Sequence, residues 1–150
     1  MYHSYVNDMA TPSSTPAGKP TIFSLLEAAH ALEDRVEEAL EAVGLSSPKL
    51  SVLTALVDDG TALSLSELAA RLSCVKSNMT QLVDRLEADG LVKRVDDPSD
   101  RRAVKAMITA QGRDRQSAGA TEVAKLHEEF STRVGDADRD AVGRMLSALG

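Results

Sequence analysis

The chain has 150 residues, 43% hydrophobic and 27% charged but only 3% aromatic, so it has about one domain's length and must build an aliphatic core. A single cysteine, Cys74, excludes an internal disulfide framework and a multi-cysteine zinc site, and it suits a reducing compartment. The net charge of -6 argues against a polyanionic partner, yet it hides an asymmetry: residues 71–115 hold ten basic and seven acidic side chains, the remainder seven and sixteen.

A phosphate-facing surface needs positive potential locally rather than in total, so the middle of the chain is where a polyanion would dock. Residues 1–20, rich in Pro, Ser and Thr, predict a disordered arm and carry no apolar run that would serve for export. No stretch approaches the roughly 20 apolar residues of a membrane span, so a soluble, cytoplasmic protein with no membrane partner is expected.

From Ile22 the pattern changes. Ile22, Leu25, Leu26, Ala29, Leu32, Val36, Leu40 and Val43 recur every three or four residues and predict a long amphipathic helix with Gly44 as its stop. After Ser46-Ser47-Pro48, Leu50, Val52, Leu53, Leu56 and Val57 predict a shorter helix ending at Asp58-Asp59-Gly60. Ser64-Leu65-Ser66-Glu67 has the form of a capping box and opens a third helix, with Leu65, Leu68, Ala69 and Leu72 as its buried stripe. A break at Ser73-Cys74 precedes a fourth, in which Met79, Leu82, Val83 and Leu86 share one face, with Gly90 as a left-handed cap and Leu91 its apolar contact.

The next stretch is β-prone: residues 91–95 and 103–109 flank Asp96-Asp97-Pro98-Ser99-Asp100-Arg101-Arg102 and predict a hairpin with a charged tip. Helix returns from Thr109 to about Val134, and a last helix runs from about Asp136, expected as its N-cap, through Met145, Leu146 and Leu149.

Two short helices joined by a tight turn and followed by a basic hairpin are the sequence form of a winged helix-turn-helix. The fold class is therefore mainly α with a small β-hairpin wing (α+β), a winged lobe plus a helical dimerisation region. With the apolar face of the fourth helix buried, Ser77, Thr80, Gln81, Asp84 and Arg85 point outward, with Lys76 and Asn78 at the N-terminal edge; the charge of Asp84 opposes a phosphate, which places it in the later turns, away from the DNA backbone. Hydroxyls and amides of this kind pair with base edges in a major groove, while a helix N-terminus and Lys76 attract phosphate. At the hairpin tip, Arg101 and Arg102 suit a narrow minor groove, and Asp100 is placed to orient one guanidinium. Double-stranded DNA is the partner this constellation predicts.

The run SELAARLSCVKSNMTQLVDRLEADGLVKRVDDPSDRRAVKAMITAQG, from Ser66 to Gly112, resembles the DNA-binding lobe of the multiple-antibiotic-resistance regulator (MarR) family. LVDRLEADGLVKR, DPSDRR and ITAQG are its most specific stretches, and the element order from residue 22 to 150 is similar too. The resemblance implies a transcriptional regulator, a homodimer whose terminal helices interlock, and a palindromic operator read in the major groove by the helix around Ser77 to Arg85. It also implies Asp100 as wing orienter and Arg102 as minor-groove arginine. Two positions depart from the pattern: Val75 stands where members usually have a small polar residue, with Ser73 as an alternative cap, and Gln81 stands where many have arginine. The expected organisation is an arm over residues 1–20 and one domain over 21–150. Within it the winged lobe covers about 48–110, and the dimerisation helices about 21–44 and 112–150.

In that architecture Leu26, His30 and Leu53 would line a crevice, apolar with one polar handle, suited to a small aromatic or phenolic effector. The reading is thus a ligand-responsive homodimeric repressor. Two alternatives stand beside it: a redox-sensing regulator acting through Cys74 at the turn before the fourth helix, and a winged helix that binds protein without DNA. His30 and His127 among scattered carboxylates do not form a metal-ligand pattern, and no cofactor is implied. There is no Gly-rich phosphate loop, nucleophile elbow or HExxH pair, so no enzyme is read here.

Overall fold

The computed structural model describes residues 21–149, with the side chains of Arg101 and Arg102 outside the description. The arm expected over residues 1–20 likewise lies outside the described residues. The elements are α1 (Ile22–Glu41), α2 (Ser47–Asp59), β1 (Leu63–Ser64), α3 (Leu65–Arg71), α4 (Lys76–Ala88), β2 (Val92–Asp97), β3 (Asp100–Ile108), α5 (Ala110–Arg133) and α6 (Asp136–Leu149). The described residues fall into two compact units, one ending at Leu32 and the other beginning at Glu33.

In the first unit, Thr21 and Ser24 bond reciprocally at the start of α1: the Thr21 amide donates to Ser24 Oγ at 2.8 Å and the Ser24 amide to Thr21 Oγ1 at 3.3 Å. Ile22, Phe23, Leu26 and Leu32 are exposed there. The second unit holds the core, and it is aliphatic: Leu40, Val52, Leu53, Leu56, Leu68, Met79, Val83 and Leu86 are each 0% exposed. Local chemistry explains the boundaries of its helices. Gly60, at φ 75°, closes α2 by donating its amide to Leu56 O at 3.2 Å. Ser64 caps α3 through the full capping box, with the Glu67 amide donating to Ser64 Oγ at 3.2 Å and the Ser64 amide to Glu67 Oε2 at 2.7 Å. At the end of α4, the Gly90 amide donates to Glu87 O and the Leu91 amide to Leu86 O, both at 2.9 Å, with Gly90 at φ 73°. That is a Schellman closure, and it buries Leu91 to 1% exposure.

The sheet corrects the simple hairpin expected from the sequence. It has three strands in the order β1-β3-β2, all antiparallel, because Leu63 and Ser64 pair with Ala106 and Lys105 just before α3 begins. The hairpin strands also run further into the tip, to Asp97 and from Asp100, leaving Pro98-Ser99 as the turn. Asp136 stands inside the first turn of α6 rather than capping it from outside.

Thr109 joins the wing to α5. Its hydroxyl donates to Gly90 O at 2.7 Å and accepts from the Gly112 amide at 3.0 Å, capping α5 while holding the end of the α4 closure.

Candidate nucleic-acid interface

The helix-turn-helix is α3, the turn and α4. Ser73 in the turn adopts φ 49°, the left-handed conformation that a non-glycine residue rarely takes, and Val75 stands at the N-cap of α4 without a side-chain cap bond. Ser73 is therefore not the cap that the sequence offered as an alternative. Helix α4 starts with its first amides uncovered by any side-chain oxygen, an arrangement that favours an anion in front of it.

Around α4, Met79, Val83 and Leu86 face the core, and Leu82 is half-buried rather than fully covered. Lys76, Ser77, Asn78, Gln81 and Arg85 are exposed, and Thr80 is half-buried, its hydroxyl donating to Lys76 O at 3.1 Å. Ser77, Gln81 and Asp84 follow each other at helical spacing opposite the core face. Asp84 would set a negative charge in the middle of that stripe. It does not stand alone: Arg94, on β2, places its guanidinium against both Asp84 and Glu87. The hydrogen bond to Asp84, and then that to Glu87, hold the Arg94 guanidinium above its ordinary protonation range despite partial desolvation.

At the wing, Asp97 accepts from the Ser99 amide at 2.9 Å and the Ser99 hydroxyl at 2.7 Å, and meets Lys105 Nζ at 3.2 Å. The Ser99 hydroxyl, then its amide, then Lys105 hold the Asp97 carboxyl below the usual value. Asp100 begins β3 opposite Asp97. Arg101 and Arg102 come next in the strand, their side chains outside the described residues.

These pairings redistribute the basic charge counted from the sequence. Arg71 pairs with Asp59 at 2.5 Å, Arg94 with Asp84 and Glu87, Lys105 with Asp97, and Arg115 donates to Val43 O at 2.9 Å. Lys76, Arg85, Lys93 and Arg113 are exposed and enter none of the ion pairs among the described residues. The two on α4 flank Ser77 and Gln81, and Lys93 continues onto the wing strand.

The description of the MarR family matches residues 45–104, the stretch that holds α2, the helix-turn-helix and most of the wing. Over that winged lobe the chain is similar to the MarR family. The regulator PrsX of Escherichia coli is 38% identical over 82 residues, covering 54% of this chain and 49% of its own. The chain thus spans about half the length of that curated relative. Among solved structures, the transcriptional repressor CouR bound to a 23-mer DNA duplex is 29% identical over 86% of this chain and 92% of its own, at a TM-score of 0.72. CouR from Rhodococcus jostii RHA1 bound to p-coumaroyl-CoA is 28% identical over 85% and 89%, at 0.67.

The expected ligand residues fall in different surroundings. Leu53 is 0% exposed in the core of residues 33–150, while Leu26 is 48% exposed and His30 exposed on α1. A recess of about 350 Å³ opens instead among other side chains of the second unit: Pro48 and Ser51 of α2, Leu72 and Cys74 at the turn, and Met79 and Leu82 of α4. Cys74 is half-buried there, its Sγ donating to Val75 O at 3.5 Å.

Sequence reasoning missed two residues of the candidate interface. Val75 is 61% exposed at the head of α4, an apolar side chain among polar ones, and only its departure from the family pattern pointed to it. Arg94 counted as one basic side chain among ten, and nothing local to it announced its two carboxylate partners.

Proposed function

We propose that this chain is a ligand-responsive, homodimeric transcriptional repressor that binds a palindromic DNA operator, placing α4 in the major groove and the β2–β3 wing over the adjacent minor groove. One observation carries the reading. The exposed face of α4 offers Ser77 and Gln81 between Lys76 and Arg85, which enter none of the ion pairs among the described residues, while the acid on that face, Asp84, is compensated by Arg94. Hydroxyl and amide groups discriminate base edges, and cations at the flanks hold phosphates. In this reading Asn78 and Thr80 add polar contacts at the start of the helix, and Val75 offers a thymine methyl an apolar neighbour. Asp100 orients Arg102 for the minor groove, with Arg101 beside it.

The dimer is supported by apolar surface that a single copy leaves open. None of the described residues of α6 is buried, and Met145, Leu146 and Leu149 are exposed, as are Ile22, Phe23 and Leu26 on α1. A second copy of the chain covers such surface with closed symmetry. The small-molecule response is supported by the likeness to CouR, whose structures contain DNA in one case and p-coumaroyl-CoA in the other.

The test is genome-wide mapping of bound sites followed by titration of the recovered duplex with the purified chain. A palindromic site with half-sites about one helical turn apart, bound more weakly as salt rises, is the expected result. Binding that ignores sequence, or a monomer in sedimentation at micromolar concentration, overturns the reading.

A further inference from the structure

Val75 stands at the N-cap of α4, a position where a side-chain oxygen would accept from the first free amides and where valine supplies none. Its isopropyl group does not serve the core either. It is 61% exposed, the one large hydrophobic side chain left exposed between Leu65 and Ala88. A residue that serves neither cap nor core marks a place where local stability yields to another requirement. We infer that Val75 is a specificity-determining residue, which reads the C5 methyl group of one pyrimidine in each operator half-site, thymine or 5-methylcytosine. The inference rests on the DNA reading proposed above and names a chemical feature of the base that this site selects.

Backbone bonds fix where the side chain stands. On one side the Cys74 amide donates to Ala69 O at 2.9 Å; on the other the Val75 carbonyl accepts from the Met79 amide at 3.1 Å and from Cys74 Sγ at 3.5 Å. Between them Val75 is extended, at φ -72° and ψ 143°. A β-branched side chain has few χ1 rotamers to lose, so placing it against another group costs little conformational freedom. What α4 presents at its head is a small, stiff apolar surface.

The neighbours then choose what that surface meets. Lys76, Ser77, Asn78 and Gln81 are exposed beyond it on α4, so the apolar surface is one side chain wide. A protein or membrane partner is met by a broader apolar patch. The major groove offers the matching shape, because among hydrogen-bonding base edges thymine displays one apolar group, its C5 methyl. Valine touches that methyl but has no side-chain atom that pairs with the O4 of thymine or the N4 amino group of cytosine. It therefore accepts thymine and 5-methylcytosine alike, while uracil and unmethylated cytosine lack the group it reads.

The test uses the full-length chain and the operator duplex recovered by site mapping. Each thymine of the half-sites is replaced in turn by deoxyuridine, which removes the methyl group alone, and affinity is read by anisotropy. One position should lose about fourfold per half-site, or about fifteenfold with both half-sites changed, the effect of one buried methyl group in each. At that position a cytosine–guanine pair should gain by the same factor when its cytosine carries the C5 methyl. Val75→Ser should abolish both differences and raise the melting temperature, because serine caps the helix. Val75→Thr, which keeps one methyl, should also raise it and retain part of the preference. Deoxyuridine duplexes that bind like the parent, or a loss that persists in Val75→Ser, overturn the methyl role and leave the DNA reading intact. So does a lower melting temperature for Val75→Ser, which would show that the valine is held by packing. A chain that selects no duplex by sequence overturns the DNA reading and the methyl role together.

Discussion

Arg94 and Glu87 are joined twice. The Arg94 amide donates to Glu87 Oε1 at 3.3 Å, and its guanidinium meets the other carboxylate oxygen, so the first half of strand β2 is tied to the last turn of α4 through both backbone and side chain. The same guanidinium reaches Asp84, one helical turn earlier. One arginine therefore fixes the wing strand against the helix and compensates two acids beside the proposed phosphate path.

Arg94→Ala should separate these roles from folding. Partly exposed ion pairs are worth about 1 kcal/mol or less, so stability should fall by no more than that. Operator affinity should fall about five- to tenfold, because Asp84 and Glu87 then oppose the phosphates. Anisotropy titration beside a thermal melt checks both, with Arg94→Lys recovering part of the affinity. A large melting loss with unchanged affinity would reduce Arg94 to a structural residue.

Gln81→Ala should change which duplex is bound more than how tightly DNA is held. A lost base contact costs about 1 to 3 kcal/mol at one position per half-site and relaxes preference there. Equal weakening on cognate and random duplexes would show that Gln81 reads no base.

At the wing, Arg102→Ala removes the proposed minor-groove contact, whereas Asp100→Ala only loosens its orientation. Arg102→Ala should be the weaker binder of the two, and both should melt like the parent chain. Normal operator binding by Arg102→Ala would move the contact to Arg101 or remove the wing from the interface.

Gly112→Ala tests the junction behind the wing. A Cβ at Gly112 would lie 2.0 Å from the Leu91 carbonyl oxygen and 2.8 Å from Ile108 Cγ1, and that carbonyl, which accepts from the Thr109 amide at 3.1 Å, has little room to move. Overpacking of this kind costs about 3 kcal/mol. Denaturant unfolding should show that loss, and DNA binding should fall with it. Gly143→Ala, where an added Cβ meets nothing within 4 Å, is the matched control.

Acid should act on two carboxylates in particular. The Ser64 amide and then its hydroxyl hold Glu67 below its ordinary 4.5, and the Ser99 hydroxyl and then its amide hold Asp97 below 3.8. A lowered folded value means that the charged form is favoured by folding. The contribution is present above the ordinary values and is lost as pH falls through the lower folded ones. Side-chain carboxyl titration by NMR should give midpoints below 4.5 for Glu67 and below 3.8 for Asp97. Glu67→Gln should remove the pH dependence of the α3 cap while leaving the helix in place.

The sequence by itself determined what depends on neighbours a few positions away. The spacing of Met79, Val83 and Leu86 oriented α4, Ser64 with Glu67 started α3, Gly90 with Leu91 ended α4, and Thr109 began α5. Each is a periodicity or a cap, decided by groups within one or two helical turns. The outward positions of Ser77 and Gln81 come from the same periodicity. Tertiary structure decided what depends on residues distant along the chain. Strand β1 is two residues long and exists because Ala106 and Lys105 pair with it, a partnership that no propensity of Leu63 and Ser64 announces. Asp84 reads from the sequence as an acid opposed to DNA, and Arg94, ten positions on and on a different element, reverses that sense. Leu53 has the character of a pocket wall, yet it lies fully buried in the core. The open recess forms where Pro48 and Ser51 of α2 approach Leu72, Cys74, Met79 and Leu82 without filling the space. Side-chain type sets what a residue can do, and only the packing of separate elements sets which of them meet.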